Sequence, residues 1–158
     1  DRAALPEASV ASHLCSVDGV IHAAGRSRWG GELFRKEEGA FVQRKGLPTV
    51  TALAGIWSGW GKSLGVVQST GAALFNHGRG WTTEEMPADQ VHGAAAGAEV
   101  MAVGRSGDYS VILIRGEGGW QVEASLRGQR LNAVWVAGTP RPPRLALDAD
   151  PDLEADDA

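Results

Sequence analysis

An all-β fold of three tandem four-stranded antiparallel units plus one extra strand is what this sequence predicts, on three observations. The first is glycine: 22 of 158 residues, about double the usual share, with no collagen period. At that density glycine interrupts nearly every helix-length window, and each one costs about 1 kcal/mol inside a helix. The second is a succession of short apolar runs parted by Gly, Asp and Ser turns, the pattern of brief strands and hairpins. The third is a period near 40. Trp81 and Trp120 stand 39 apart, and Phe41 lies 40 before Trp81. Seven residues ahead of each is an apolar residue (Phe34, Leu74, Leu113), with a glycine between (Gly39, Gly80, Gly119). Pro48 and Pro87 follow 39 apart, and Val10, Val50, Val91 and Leu131 recur at spacings of 40, 41 and 40. Four markers agree on one period.

Each period divides into four strands. The first unit, residues 9–46, reads "SVASHLCS", "GVIHAAG", "GELFRK" and "AFVQRK". The second, 49–87, reads "TVTALAGIW", "KSLGVVQS", "AALFNH" and "WTTEEM". The third, 90–127, reads "QVHGAAAG", "EVMAVGRS", "YSVILIR" and "WQVEAS". A fourth begins with "LNAVWVAG", residues 131–138, and stops at "TPRPPR". Residues 1–8 read as an N-terminal extension, and 139–158 as a proline-rich linker with a disordered acidic tail. In each unit glycine supplies positive φ in the last hairpin. The aromatic residue then opens the fourth strand, where its ring is expected to pack across the hairpin or onto the neighbouring unit.

Four-stranded units of this length are the blades of a β-propeller. The stretches "LNAVWVAG" and "VMAVGRSGDYSVILIRGEGGW" resemble bacterial propeller repeats that read L-x-A/G-V-W, then V-x-A-V-G-x-x-G, then I-L-x-x-x-G-x-x-W. These belong to the broad BNR/Asp-box and plant assembly-factor-like group. The resemblance covers residues 9–138 and is strongest in the third unit. It implies a propeller fold with degenerate repeats. Of the Asp-box pattern S/T-x-D-x-G-x-x-W, "FNHGRGW" and "RGEGGW" keep only the glycine and the aromatic residue.

Three blades and one strand cannot close a ring, which typically has about 4–8 blades. The ring is therefore expected to be completed by another chain or segment: a second copy giving six blades, or the rest of a longer or cleaved propeller. Three sheets packed as a sandwich or prism are the other arrangement. The extra strand, with Leu131, Ala133 and Trp135 as its assembly positions, is an edge that invites augmentation.

Charge and composition narrow the functions. Net charge is −4, and residues 145–158 hold six acids and no base, leaving residues 1–144 with 13 acids and 15 bases. A near-neutral body carries no nucleic-acid footprint, and no apolar run approaches the length of a membrane-spanning helix. The N-terminus lacks a basic n-region and an apolar h-region, so no secretory signal is expected and a cytoplasmic location is favoured. Its first residue is not methionine, which reads as a processed product or a fragment. The single Cys15 is expected to be a buried small hydrophobe. His13, His22, His77 and His92 show no metal-ligand spacing, so neither a metal site nor a cofactor is expected. "GWGKS" at 59–63 has no phosphate-loop frame.

What remains is a binding face. Trp29 in "RSRWGGE" and Trp57 and Trp60 in "IWSGW" fall outside the repeating aromatic position. Packing between blades is one role for them. The other is an aromatic platform on one loop face, joined by Arg26, Arg28 and Arg105 in matching turns. The expected function is a non-enzymatic scaffold that binds a protein partner through this face. The alternative is a lectin-like, carbohydrate-binding propeller. A sialidase-like glycosidase is a distant third, because the only tyrosine is Tyr109, beside Asp108, with no partnering glutamate in the pattern.

Overall fold

The computed structural model describes residues 5, 9–48, 51–59, 63–76 and 78–139. Among these residues every regular element is a strand. β1 (Val10–Val17), β2 (Val20–Ser27), β3 (Gly30–Glu37) and β4 (Ala40–Gln43) form one antiparallel sheet. β5 (Leu53–Ser58), β6 (Leu64–Gln68), β7 (Ala72–Asn76) and β8 (Trp81–Glu85) form the second. β9 (Gln90–Ala96), β10 (Val100–Ser106), β11 (Tyr109–Gly116) and β12 (Gly119–Arg127) form the third. In each sheet the strands lie in chain order, the simplest meander that two-residue hairpins allow. Asp18–Gly19 and Glu38–Gly39 show why: both residues of each pair have positive φ (52° and 75°, 44° and 88°), which matches a hairpin turn to the twist of its strands.

The sheets stack as propeller-like blades and do not close. Their first strands are neighbours, β5 against β1 and β9 against β5. At β5/β9 the approach is so close that a Cβ on Gly55 would stand 2.6 Å from the Ala94 nitrogen. Ala94 is 39 residues on. The same offset recurs one step later: Gly93 faces Asn132 and Ala133, and a Cβ on Gly97 would overlap the Val136 and Ala137 carbonyls. The period read in letters is therefore a spatial translation of 39–40 residues. Residues 131–138 continue it beyond β9.

Side-chain alternation builds two cores. The first joins Val17, Ala24 and Leu33 to Leu53, Ile56, Leu64, Val66 and Leu74, with Cys15 and Trp81 packed against it. The second joins Trp57, Val67, Ala73 and Phe75 to Val91, Ala102, Val111, Leu113 and Trp120. Ile56 and Trp57 are adjacent in β5 yet serve different cores, so β5 and β6 are buried almost throughout. The strand-opening aromatics Trp81 and Trp120 each reach the preceding sheet. Burial among these side chains pushes the Cys15 thiol up to about 12, which leaves it an inert packing residue.

The second core is also clamped at its rim. Arg115 of β11 grips Glu84 of β8 through two guanidinium nitrogens, Nε–Oε2 being 2.8 Å, and lies 4.6 Å above the Phe75 ring. Both side chains are about three-quarters buried. Arg115→Met keeps the stem and leaves Glu84 without this donor, so a loss of about 1–3 kcal/mol is expected in urea unfolding. An unchanged midpoint would show the clamp to be decorative.

Two expectations need correction. The markers Val10 and Val91 are not equivalent: Val91 is 2% exposed and Val10 57%. Ladder register pairs Ala11 with Gly25 and Val91 with Gly104, so Ala11 is the counterpart of Val91. A slip of one residue moves a side chain to the other face. Each first strand also carries a register shift at this point, Ala11/His13, Leu53/Gly55 and the Val91–Gly93 step, which letter counting does not reveal. The second correction concerns Leu131, Ala133 and Trp135. Residues 129–137 have no ladder; the tie to the third sheet is a hydrogen bond from the Ala98 N–H to the Ala137 carbonyl at 2.8 Å. The segment stacks on the face of β9. A ladder needs a mate within its own sheet, and the described residues supply none.

Candidate functional site

Strand direction sorts the loops into two faces. The β2–β3, β6–β7 and β10–β11 turns lie at one end of the stack, with the connections that lead into β5 and β9. The Val91 N–H donates to Ser69 O at 3.1 Å across this end, and the Asp89 N–H to Arg105 O at 2.8 Å. Trp29 sits here at the tip of β2–β3 and is 77% exposed. Its backbone N–H donates to Ser27 Oγ at 3.0 Å, fixing the turn. Arg28 lies over the indole with its guanidinium carbon 4.4 Å from the ring centroid, a cation–π pair that offers a flat surface both greasy and charged. Beside it runs a cleft of about 320 Å³ bounded by Trp29, Glu32, Gln43, Arg44, Lys45 and Leu47. Glu32 is held at its wall by Ser9 Oγ (2.8 Å) and Gln43 Nε2 (3.3 Å).

Arg26 and Arg105 occupy matching positions. Arg26 pairs with Val10 and Gly31 at the end of β2, and Arg105 with Gln90 and Ser110 at the end of β10. Arg105 borders a second cleft, about 410 Å³, with Gln90, His92, Asp108, Tyr109 and Arg130. Its turn is tightly built. The Gly107 N–H donates to Asp89 at 2.7 Å, Arg105 Nε donates to the Gly107 carbonyl and Arg105 pairs with Asp108 at 3.8 Å. Ser110 Oγ donates to the Gln129 carbonyl at 2.6 Å, tying residues past β12 to the rim. His92 falls at the register shift of β9, which turns its side chain toward this cleft.

The platform of three tryptophans does not assemble. Trp57 is 1% exposed. It stacks on Phe75 (centroids 6.2 Å apart, planes at 15°) and meets the edge of Trp120 (5.8 Å, 84°). It is a core ring because β5 belongs to the middle sheet, where both faces are covered. Trp60 lies outside the described residues. β5 ends, at Ser58, on the opposite end of the stack from Trp29, so "IWSGW" and "RSRWGGE" are not corresponding stretches. The structure keeps Arg26, Arg28 and Trp29 together on one turn and places Arg105 on the same face in the third sheet. Gln90, His92, Gln129 and Arg130 were not singled out by sequence reading as part of this face. The signal available was the repeated "GRS" at 25–27 and 104–106.

Fold and site together define an unclosed all-β stack of propeller-like blades with a polar, aromatic loop face. Among the described residues no group of three or more His, Cys, Asp or Glu side chains could hold a metal ion. No family model matches the chain, nor does any curated protein or solved structure.

Proposed function

We propose that the chain is a non-enzymatic β-propeller-type interaction module. It binds a protein partner through the loop face of Arg26, Arg28, Trp29 and Arg105, and its ring is completed by a second copy or a further segment. The observation that carries this reading is the 39–40-residue offset running from β5 through β9 into residues 131–138. In this reading Leu131, Ala133 and Trp135 take the part of a fourth blade's first strand, which the offset supports, with Trp135 84% exposed. Ala102 and Leu113 face the second sheet, so Met101, Ile112 and Ile114 face the other way and are only half-buried. At the other end of the stack Val10 and Leu14 of β1 are exposed. Both ends thus offer apolar surface of the kind an unfinished repeat array presents. Tryptophan and arginine, which meet here as an exposed indole under a guanidinium, are also among the residues enriched at protein-contact hot spots. The lectin-like alternative retains only Trp29 of its described rings, with Arg28 over the indole.

Light scattering tests the reading. The chain should run as a particle heavier than its 16.5 kDa, and deletion of residues 131–138 should lower that mass. A compact monomer, or a mass indifferent to the deletion, would remove the completed ring from the proposal.

A further inference from the structure

A third cleft, about 270 Å³, opens between the first and second sheets at the end opposite Trp29. Val17, Val20 and Leu64 give it apolar walls, and Asp18, His22, Arg35 and Arg44 supply its polar groups. His22 and Arg35 are direct ladder partners on β2 and β3, so their side chains leave the sheet on the same side. His22 is 6% exposed, and its Nδ1 is buried with no hydrogen-bond partner among the described residues. Such orphaned atoms are rare in folded chains and call for an explanation. The two arginines are weakly neutralised. Among the described residues the ion pair of Arg35 is with Glu37, at 3.7 Å, both half exposed, a pair of small worth. Arg44 is rooted by its N–H donating to Leu33 O at 2.7 Å, and its guanidinium carbon lies 5.9 Å from the Trp81 centroid. Among the described residues no carboxylate lies within ion-pair distance of it. Asp18 is the acid on the cleft wall and is engaged in a contact of its own. Of the charged groups that line the cleft two are guanidinium groups and one is a carboxylate, Glu37 standing outside the lining, so the lining itself is positive.

We infer that this cleft is an oxyanion site: it takes a small phosphate- or carboxylate-bearing ligand between Arg35 and Arg44, with the His22 imidazole as its floor. Guanidinium forks match either anion in geometry. A bound anion would also relieve the repulsion between two cations beside a buried ring. Burial, then the charges of Arg44 and Arg35, hold His22 down to about 4, so at neutral pH the imidazole is uncharged and presents one N–H. The inference is independent of how the ring is completed, because every residue it uses lies in the first two sheets.

The test is NMR titration of the His22 ring in the full chain, with inorganic phosphate, with formate and with chloride at equal ionic strength. Phosphate or formate should raise the His22 pKa by about one pH unit, saturably, because an anion in the cleft offsets both guanidinium groups. Chloride should not. A response to phosphate alone, or to both oxyanions, identifies which headgroup the site prefers. In Arg44→Gln the His22 pKa should start higher and lose its response to either anion. The inference is overturned if chloride acts as strongly, if neither oxyanion moves the ring, or if Arg44→Gln responds like the parent chain.

Discussion

Trp57→Ala lowers the unfolding free energy by about 3–5 kcal/mol, the range for truncating a large buried aromatic side chain. The indole is the largest fully buried side chain among the described residues. Phe75 lies against its face and Trp120 meets it at right angles, geometries that add to the burial of its area. Trp57 comes from the second sheet and Trp120 from the third, so the void would sit where two blades meet. β6 and β7, which carry Gly65 and Phe75 beside the ring, are hydrogen-bonded on both sides and resist collapse into it, which puts the cost toward the upper end. Urea unfolding measures it, with an unchanged slope confirming that only stability moved. A loss below about 1 kcal/mol would place the ring at the surface.

The second large effect comes from adding a single methyl group. Gly65 is the ladder partner of Trp57, and Phe75 is the next residue across. The indole reaches Phe75 by lying over the glycine. A Cβ on Gly65 would overlap Cζ2, Cε2 and Cη2 of the ring. Neither neighbour can give way, since the ring is wedged between two sheets and Gly65 is fixed in the centre of its own. Gly65→Ala is therefore expected to cost about 1–3 kcal/mol or more by overpacking, although alanine suits a strand at least as well as glycine. The double variant Gly65→Ala with Trp57→Leu should be less damaged than the two losses summed, because the smaller side chain removes the overlap. Strict additivity would mean that the two residues do not touch.

The three sheets were legible because their signals are local: apolar alternation, glycine turns and an aromatic residue every 39–40 positions all survive in one dimension. The face of a given side chain was less so. Val10 and Val91 share a letter and nearly a period, yet one residue of slip beside a register shift puts them on opposite sides of their strands. Trp29 and Trp57 looked alike because both fall outside the repeating aromatic position. One occupies a hairpin tip, and the other a strand of the middle sheet whose two faces are both covered, a condition that depends on the flanking sheets. Arg28 with Trp29, and Arg26 with Arg105, could be read from adjacency and from the repeated "GRS". The meeting of His22, Arg35 and Arg44 could not. They are 13 and 9 residues apart in sequence, on two strands and the segment after a third, and only the ladder brings them to one cleft.

The middle sheet is covered by another sheet on both sides and the outer two on only one, so resistance to opening is graded along the stack. Amide hydrogens of β6 and β7 should exchange last, while β1 and β12 fray at its ends. A neighbour that caps either end would therefore act as a zip-stop, slowing exchange most in the strands farthest from the centre.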